Sequence, residues 1–222
     1  MKKGLVVVGI LSFLLAGCST TGSSAKETDP EVQEISVSLP AELTTLDTTQ
    51  TTDKVTFTVI QHLFEGSYRF DEKSQPVPGL AEEGVISEDG KTYTFKLKEE
   101  AKWSDGQQVQ AADFAYPWKK LVDPKTMGPN AYLLDNVVNS QDIREGKADI
   151  ATIGLETPDE KTFVVHLEQL QPSFLSVVSI GWLAPQRQSY VEEKGTAYGK
   201  TSEDLLYTGP FILKDWQQTG AE

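Results

Sequence analysis

Apolar positions recur along the chain with several distinct periods. After Lys2 and Lys3, an apolar stretch from Gly4 to Ala16 carries Leu5, Val6, Val7, Val8, Ile10, Leu11, Phe13, Leu14 and Leu15. At about 13 residues it falls short of the ~20 needed to span a bilayer, and its basic flank gives it the form of a secretory leader. Glu34 to Pro40 alternates, with Ile35, Val37 and Leu39 on one side, which predicts a half-buried strand. From Val55 to Glu65 the spacing changes to four (Val55, Val59, Leu63; Ile60, Phe64) and predicts a helix. Thr52 or Asp53 can cap its start and Gly66 its end.

Two later stretches resemble each other. Tyr93, Phe95 and Leu97 alternate after the turn signal Glu88-Asp89-Gly90, and Phe163, Val165 and Leu167 do the same after Pro158-Asp159-Glu160. They predict two hairpins of one sheet. Ala111 to Val122 predicts a helix with Phe114, Trp118, Leu121 and Val122 inward. Pro117 removes the bond to the Asp113 carbonyl and predicts a kink or break. Pro172 suits the first turn of a helix running towards Ile180, Gln186 to Lys194 predicts a short helix stopped by Gly195, and Tyr207 to Trp216 a strand around Phe211, Ile212 and Leu213.

The apolar leader ends in Leu15-Ala16-Gly17-Cys18, which resembles the bacterial lipobox. Residues 1–17 are then a lipoprotein signal peptide, Cys18 the lipid-attachment site, and 18–30, small and polar, a flexible tether. An ordinary signal peptide followed by an incidental cysteine is the competing reading. The only cysteine of the chain stands where lipidation needs it. The product would lie at the outer face of the cytoplasmic membrane, held by lipid rather than by charge.

Charge and composition narrow the chemistry. The 222 residues carry a formal net charge of -13, which argues against nucleic acid as a partner. One cysteine permits no intrachain disulfide, and with two histidines it leaves little for a zinc site. No phosphate-cradling glycine loop and no G-x-S-x-G elbow is present. His62 and His166 read as structural or solvated, and the adjacent pairs Glu82-Glu83, Glu99-Glu100 and Glu192-Glu193 diverge on any regular element. No enzyme, metal or cofactor is expected.

Eight short strings, in order, resemble the extracytoplasmic solute-binding proteins of peptide ABC transporters, the oligopeptide- and dipeptide-binding family. They are Thr45-Leu46-Asp47, Leu63-Phe64-Glu65-Gly66, Pro78-Gly79-Leu80-Ala81-Glu82, Asp89 to Leu97 (DGKTYTFKL), Ala101 to Gly106 (AKWSDG), Ala112-Asp113-Phe114, Asp123-Pro124 with Thr126, and Gly209-Pro210-Phe211. Pro117 stands where the family usually has serine, and Thr208 where it has asparagine.

The resemblance implies a mixed α/β fold: a periplasmic-binding-protein-like type II lobe whose first domain is discontinuous. Residues 31–68 and 185–222 would form that domain and 69–184 an inserted, β-rich one. It also implies a two-lobed clamp that holds the main chain of short peptides by strand-addition logic and passes them to permease subunits. The cleft contacts it implies are Thr51, Thr52 and Asp53; Asn130 and Tyr132; and Thr208 with Gly209. Each has a plainer reading, Thr52 and Asp53 as a helix cap and Gly209 as a backbone turn. Trp103 reads as core. Family chains run to more than twice this length, so the second lobe is expected to be missing and peptide binding by this chain alone to be weak or absent. A peptide-pheromone receptor and a surface lipoprotein without transport function, such as an adhesin or decoy, are the alternative expectations.

Overall fold

The computed structural model describes residues 34–216; the leader, Cys18 and the tether lie outside the described residues. Contacts divide the chain after Ser38. The alternating segment from Glu34 forms no strand, and Ile35 and Val37 are 66% and 72% exposed. Alternation marks which side of a strand is apolar, but a strand also needs a neighbour to pair its backbone in register, and no strand or bridge among the described residues includes residues 34–40.

The hairpins are where the pattern put them. β1 (Tyr68–Phe70) pairs with β2 (Pro76–Pro78) as a small ribbon. β3 (Val85–Ile86), β4 (Thr92–Lys96), β5 (Leu155–Asp159) and β6 (Thr162–His166) make one antiparallel sheet in the order β3-β4-β6-β5. The two look-alike stretches thus lie side by side at its centre, with Tyr93 opposite Val165 and Phe95 opposite Phe163. Their alternating side chains point to one face, where they are buried.

α2 (Ala111–Val122) covers that face. Phe114 stacks on Phe163 at 5.8 Å, and Trp118 meets the same ring edge-on at 5.1 Å. The helix runs through Pro117 without a break. The Asp113 carbonyl, which Pro117 leaves without a donor, accepts the backbone N–H of Gln186 at 2.8 Å, so the loss that predicted a break is made good from outside the helix. α3 (Ser140–Arg144) and α4 (Phe174–Val178) are single turns. α4 begins after Ser173 rather than at Pro172 and stops before Ile180; its Phe174 packs on Tyr93 at 4.8 Å.

A second apolar cluster gathers Leu43, Leu46, Ile60, Leu63, Phe64, Ala184, Val191, Tyr198, Leu205 and Tyr207 around α1 (Lys54–Leu63) and α5 (Gln188–Lys194). Asp53, rather than Thr52, caps α1 by accepting the Thr56 N–H at 2.7 Å. The helix ends at Phe64, short of Gly66. Gly66 instead permits a close approach, since a Cβ there would stand 3.0 Å from the Tyr68 carbonyl oxygen. Residues 207–216 form no strand. The N–H groups of Gly209 and Phe211 donate to the Leu63 and His62 carbonyls at 2.9 and 3.3 Å, so this segment satisfies the last turn of α1 rather than a sheet.

Candidate functional site

The first three site residues predicted from the sequence line a concavity of about 330 Å³, together with Ala41, Glu42, Thr44 and the rest of residues 50–55. Thr51 is buried, whereas Thr52 and Asp53 are exposed. The Asp53 carboxyl accepts from the Thr56 N–H and from the Thr51 hydroxyl at 3.1 Å. Partial burial pushes it up, but these hydrogen bonds outweigh that and hold it below its ordinary value, so it stays ionised at neutral pH. Asn130 comes to the same place: its side-chain Nδ2 donates to the Thr51 carbonyl at 2.7 Å. Tyr132 follows on the surface, 55% exposed.

Thr208 and Gly209 are not part of this group. They sit at the other end of α1, about 15 Å along a ten-residue helix. The Thr208 hydroxyl accepts from the Glu65 N–H at 3.0 Å and donates to the Glu65 carbonyl at 3.1 Å. Gly209 is where a Cβ would stand 2.7 Å from the His62 carbonyl oxygen. Beside them, burial raises the Glu65 carboxyl, and the charges of Arg69 and Lys98 act against that rise.

A buried polar hub that sequence reasoning treated only as a turn string holds the loop in place. Asp47 Oδ1 accepts from the Thr49 N–H and hydroxyl, at 3.0 and 2.7 Å, and from the Gln186 side-chain amide at 2.8 Å. Its Oδ2 accepts from Lys120 of α2 at 2.8 Å. The same Gln186 amide reaches the Thr48 hydroxyl at 2.9 Å. The AKWSDG string belongs to the neighbouring seam. Trp103 is core, as expected, and its Nε1 donates to Asp113 at 3.0 Å, while Asp105 pairs with Arg187 at 2.6 Å. The Ser104 N–H donates to the Tyr207 carbonyl at 2.8 Å, and the Tyr207 N–H returns to the Ser104 hydroxyl at 3.1 Å. These motifs tie distant parts of the chain together.

The histidines take structural roles. His62 bonds the Thr58 carbonyl oxygen one turn back along α1, and His166 lies between Thr92 and Glu156 on the sheet surface. Among the described residues no group of three or more His, Cys, Asp or Glu side chains is placed to hold a metal ion. No helix among them is long and apolar enough to cross a membrane.

The sequence model described as "Bacterial extracellular solute-binding proteins, family 5 Middle" matches residues 75–221, and the chain belongs to this family. It is 36% identical over 208 residues to a dipeptide-binding protein of Lactococcus lactis subsp. cremoris, covering 94% of this chain and 36% of that protein. The substrate-binding domain of an oligopeptide ABC transporter from Bacillus anthracis superposes with a TM-score of 0.78 at 39% identity, covering 80% of this chain and 34% of that one. The pheromone receptor PrgZ, solved for its mode of peptide binding, gives a TM-score of 0.78 at 34% identity, over 82% of this chain and 36% of its own.

The fold is therefore the mixed α/β, type II binding-protein fold expected from the resemblance. These relatives are solute-binding proteins rather than enzymes. The chain spans little more than a third of the length of each.

Proposed function

We propose that this chain is the N-terminal part of a peptide-binding lipoprotein of an oligopeptide ABC transporter, capturing short peptides outside the membrane for delivery to permease subunits. The observation that carries this reading is the loop edge at Thr51–Asp53, beside a concavity also lined by Ala41, Glu42 and Thr44, whose backbone groups have no hydrogen-bond partner among the described residues. Unpaired backbone at the mouth of a cleft suits a ligand whose common feature is its own backbone. Tyr132, Thr208 and Gly209 complete the contacts proposed for this half of the cleft.

The domain division proposed is 31–68 with 185–222 around an inserted 69–184. Its support is the pair of apolar clusters: one draws on Tyr68 to Leu183 plus Leu206, the other on Leu43 to Phe64 and Ala184 to Tyr207. Lipid attachment at Cys18 completes the proposal. Cys18→Ser should abolish incorporation of labelled palmitate and release the product from the membrane fraction.

The test is photolabelling of the isolated chain at millimolar concentrations of short peptides carrying benzoylphenylalanine. Labelling should fall on residues 51–53, on Tyr132 and on 208–209, and unlabelled oligopeptide should compete where free amino acids do not. Dispersed labelling, or no competition, would refute the reading. A pheromone receptor is the second reading, favoured by the match to PrgZ; competition by a single hydrophobic peptide and not by a mixed pool would select it.

A further inference from the structure

We propose that Asn130 is a positioning residue for the ligand-facing loop and touches no ligand itself, an assignment whose functional meaning rests on the peptide-binding reading above. Asn130 is 2% exposed, and its Nδ2 holds the carbonyl of Thr51, 79 residues away, at 2.7 Å within the protein interior. A side chain so enclosed cannot meet a peptide in the concavity. The Thr51 carbonyl it occupies is withdrawn from ligand as well.

The local sequence explains how an asparagine reaches that point. α2 ends at Asp123, whose carbonyl accepts the N–H groups of Thr126 and Met127 and whose side chain accepts that of Lys125 at 2.8 Å. Met127 is left-handed, with φ 48°, a backbone state unfavourable for a non-glycine residue. At Gly128 a Cβ would stand 2.8 Å from the Leu121 carbonyl oxygen, so the chain can fold back on the helix only because that position is glycine. The turn is thus pressed against the end of α2, and Asn130 is delivered to Thr51.

The loop is held at its other end by Asp47, itself tied to Lys120 and Gln186. Just past the Thr51 anchor and before the capping Asp53, the N–H and C=O of Thr52 have no partner among the described residues, and Thr52 is exposed. One residue's backbone is therefore free while its neighbours are fixed. That arrangement lowers the ordering cost of pairing with an extended peptide.

Backbone order parameters of the ¹⁵N-labelled chain test this without any peptide. Asn130→Ala should lower those of Thr51, Thr52 and Asp53 from about 0.85 to below about 0.6, leaving β4 and β6 unchanged. Asn130→Asp, which keeps the shape but turns an acceptor towards the Thr51 carbonyl, should do the same. Unchanged order parameters, or a loss spread over the sheet, overturn the proposal. Should neither variant fold, the unmutated chain decides: its Asn130 side-chain amide protons should exchange at least tenfold more slowly than those of a free asparagine, and rapid exchange overturns the proposal. In the photolabelling experiment Asn130→Ala should lose at least fivefold of the labelling on residues 51–53, and equal labelling overturns it. A wild-type chain that takes no label at all counts against the peptide-binding reading, while the order parameters still judge the loop.

Discussion

The backbone N–H of Gln186 donates to the carbonyl of Asp113, the acceptor that Pro117 leaves unused inside α2. The proline thus opens a docking point where the chain crosses from one apolar cluster to the other. An alanine in a helix interior ordinarily gains about 3 kcal/mol over proline. Here Pro117→Ala should gain less than ~1 kcal/mol, because the carbonyl is already satisfied and the buried ring would leave a void. Gln186→Ala keeps the backbone bond but removes the amide that serves Asp47 and Thr48. Loss of a donor to a buried carboxylate should cost about 1.5–3 kcal/mol. Urea midpoints of the two variants, read against the wild type at constant slope, check both expectations.

Asp113 carries a pH dependence of known sign. Burial raises its carboxyl above the usual 3.8, and the Gln110 N–H, the Trp103 indole and the charge of Arg187 only partly counter this. The folded state therefore holds the proton more tightly than the unfolded chain does. That contribution is fully present below the usual value and is lost as pH rises through the raised one. Asp113→Asn, which still accepts from Trp103 or Gln110, should gain stability relative to wild type between pH 3.5 and pH 7. Paired denaturation curves at the two pH values test this; a constant difference would show that Asp113 does not titrate differently on folding.

Gly199 supplies the acceptor for the Thr45-Leu46-Asp47 turn. Its carbonyl receives the Leu46 N–H at 2.8 Å, its φ is +75°, and a Cβ would stand 2.5 Å from the Asp47 nitrogen. Gly106 has the same left-handed backbone, φ +84°, with nothing within 4 Å of its would-be Cβ. Gly106→Ala should cost only the backbone term, about 1–2 kcal/mol. Gly199→Ala should cost at least ~1 kcal/mol more and loosen the loop that Asp47 anchors. Thermal midpoints of the two variants, measured side by side, separate contact from conformation.

Periodicity found α1, α2 and the two central strands because each announces its buried face within a few residues. Thr162 to Leu167 could be read without knowing that Thr92 to Leu97 lies beside it. The segments around Val37 and Phe211 misled for the complementary reason: the alternation of the first and the apolar run of the second are real, but pairing is a property of a second segment. Asn130 is a cleft contact only by what the resemblance implies, and nothing local reveals that its amide donates to a carbonyl 79 positions earlier. Asp47 was legible as a turn and illegible as a hub, since Lys120 and Gln186 reach it from distant parts of the chain.

Thr208 offers a direct contrast between a binding and a building role. Its hydroxyl both accepts from the N–H and donates to the carbonyl of Glu65, and the residue is 8% exposed. Thr208→Val preserves shape while stripping both bonds, leaving two backbone groups of one residue without a partner close to the last turn of α1. Buried groups left in that state cost about 1–3 kcal/mol each, and partial access to water should bring the total to roughly 2 kcal/mol. Thr208→Ser keeps the hydroxyl and should restore most of the loss. If the hydroxyl instead serves chiefly to meet a peptide, the valine variant should unfold at the wild-type urea concentration and lose only photolabelling at residues 208–209. The order of the two midpoints, valine well below serine or the two together, decides which role the hydroxyl fills.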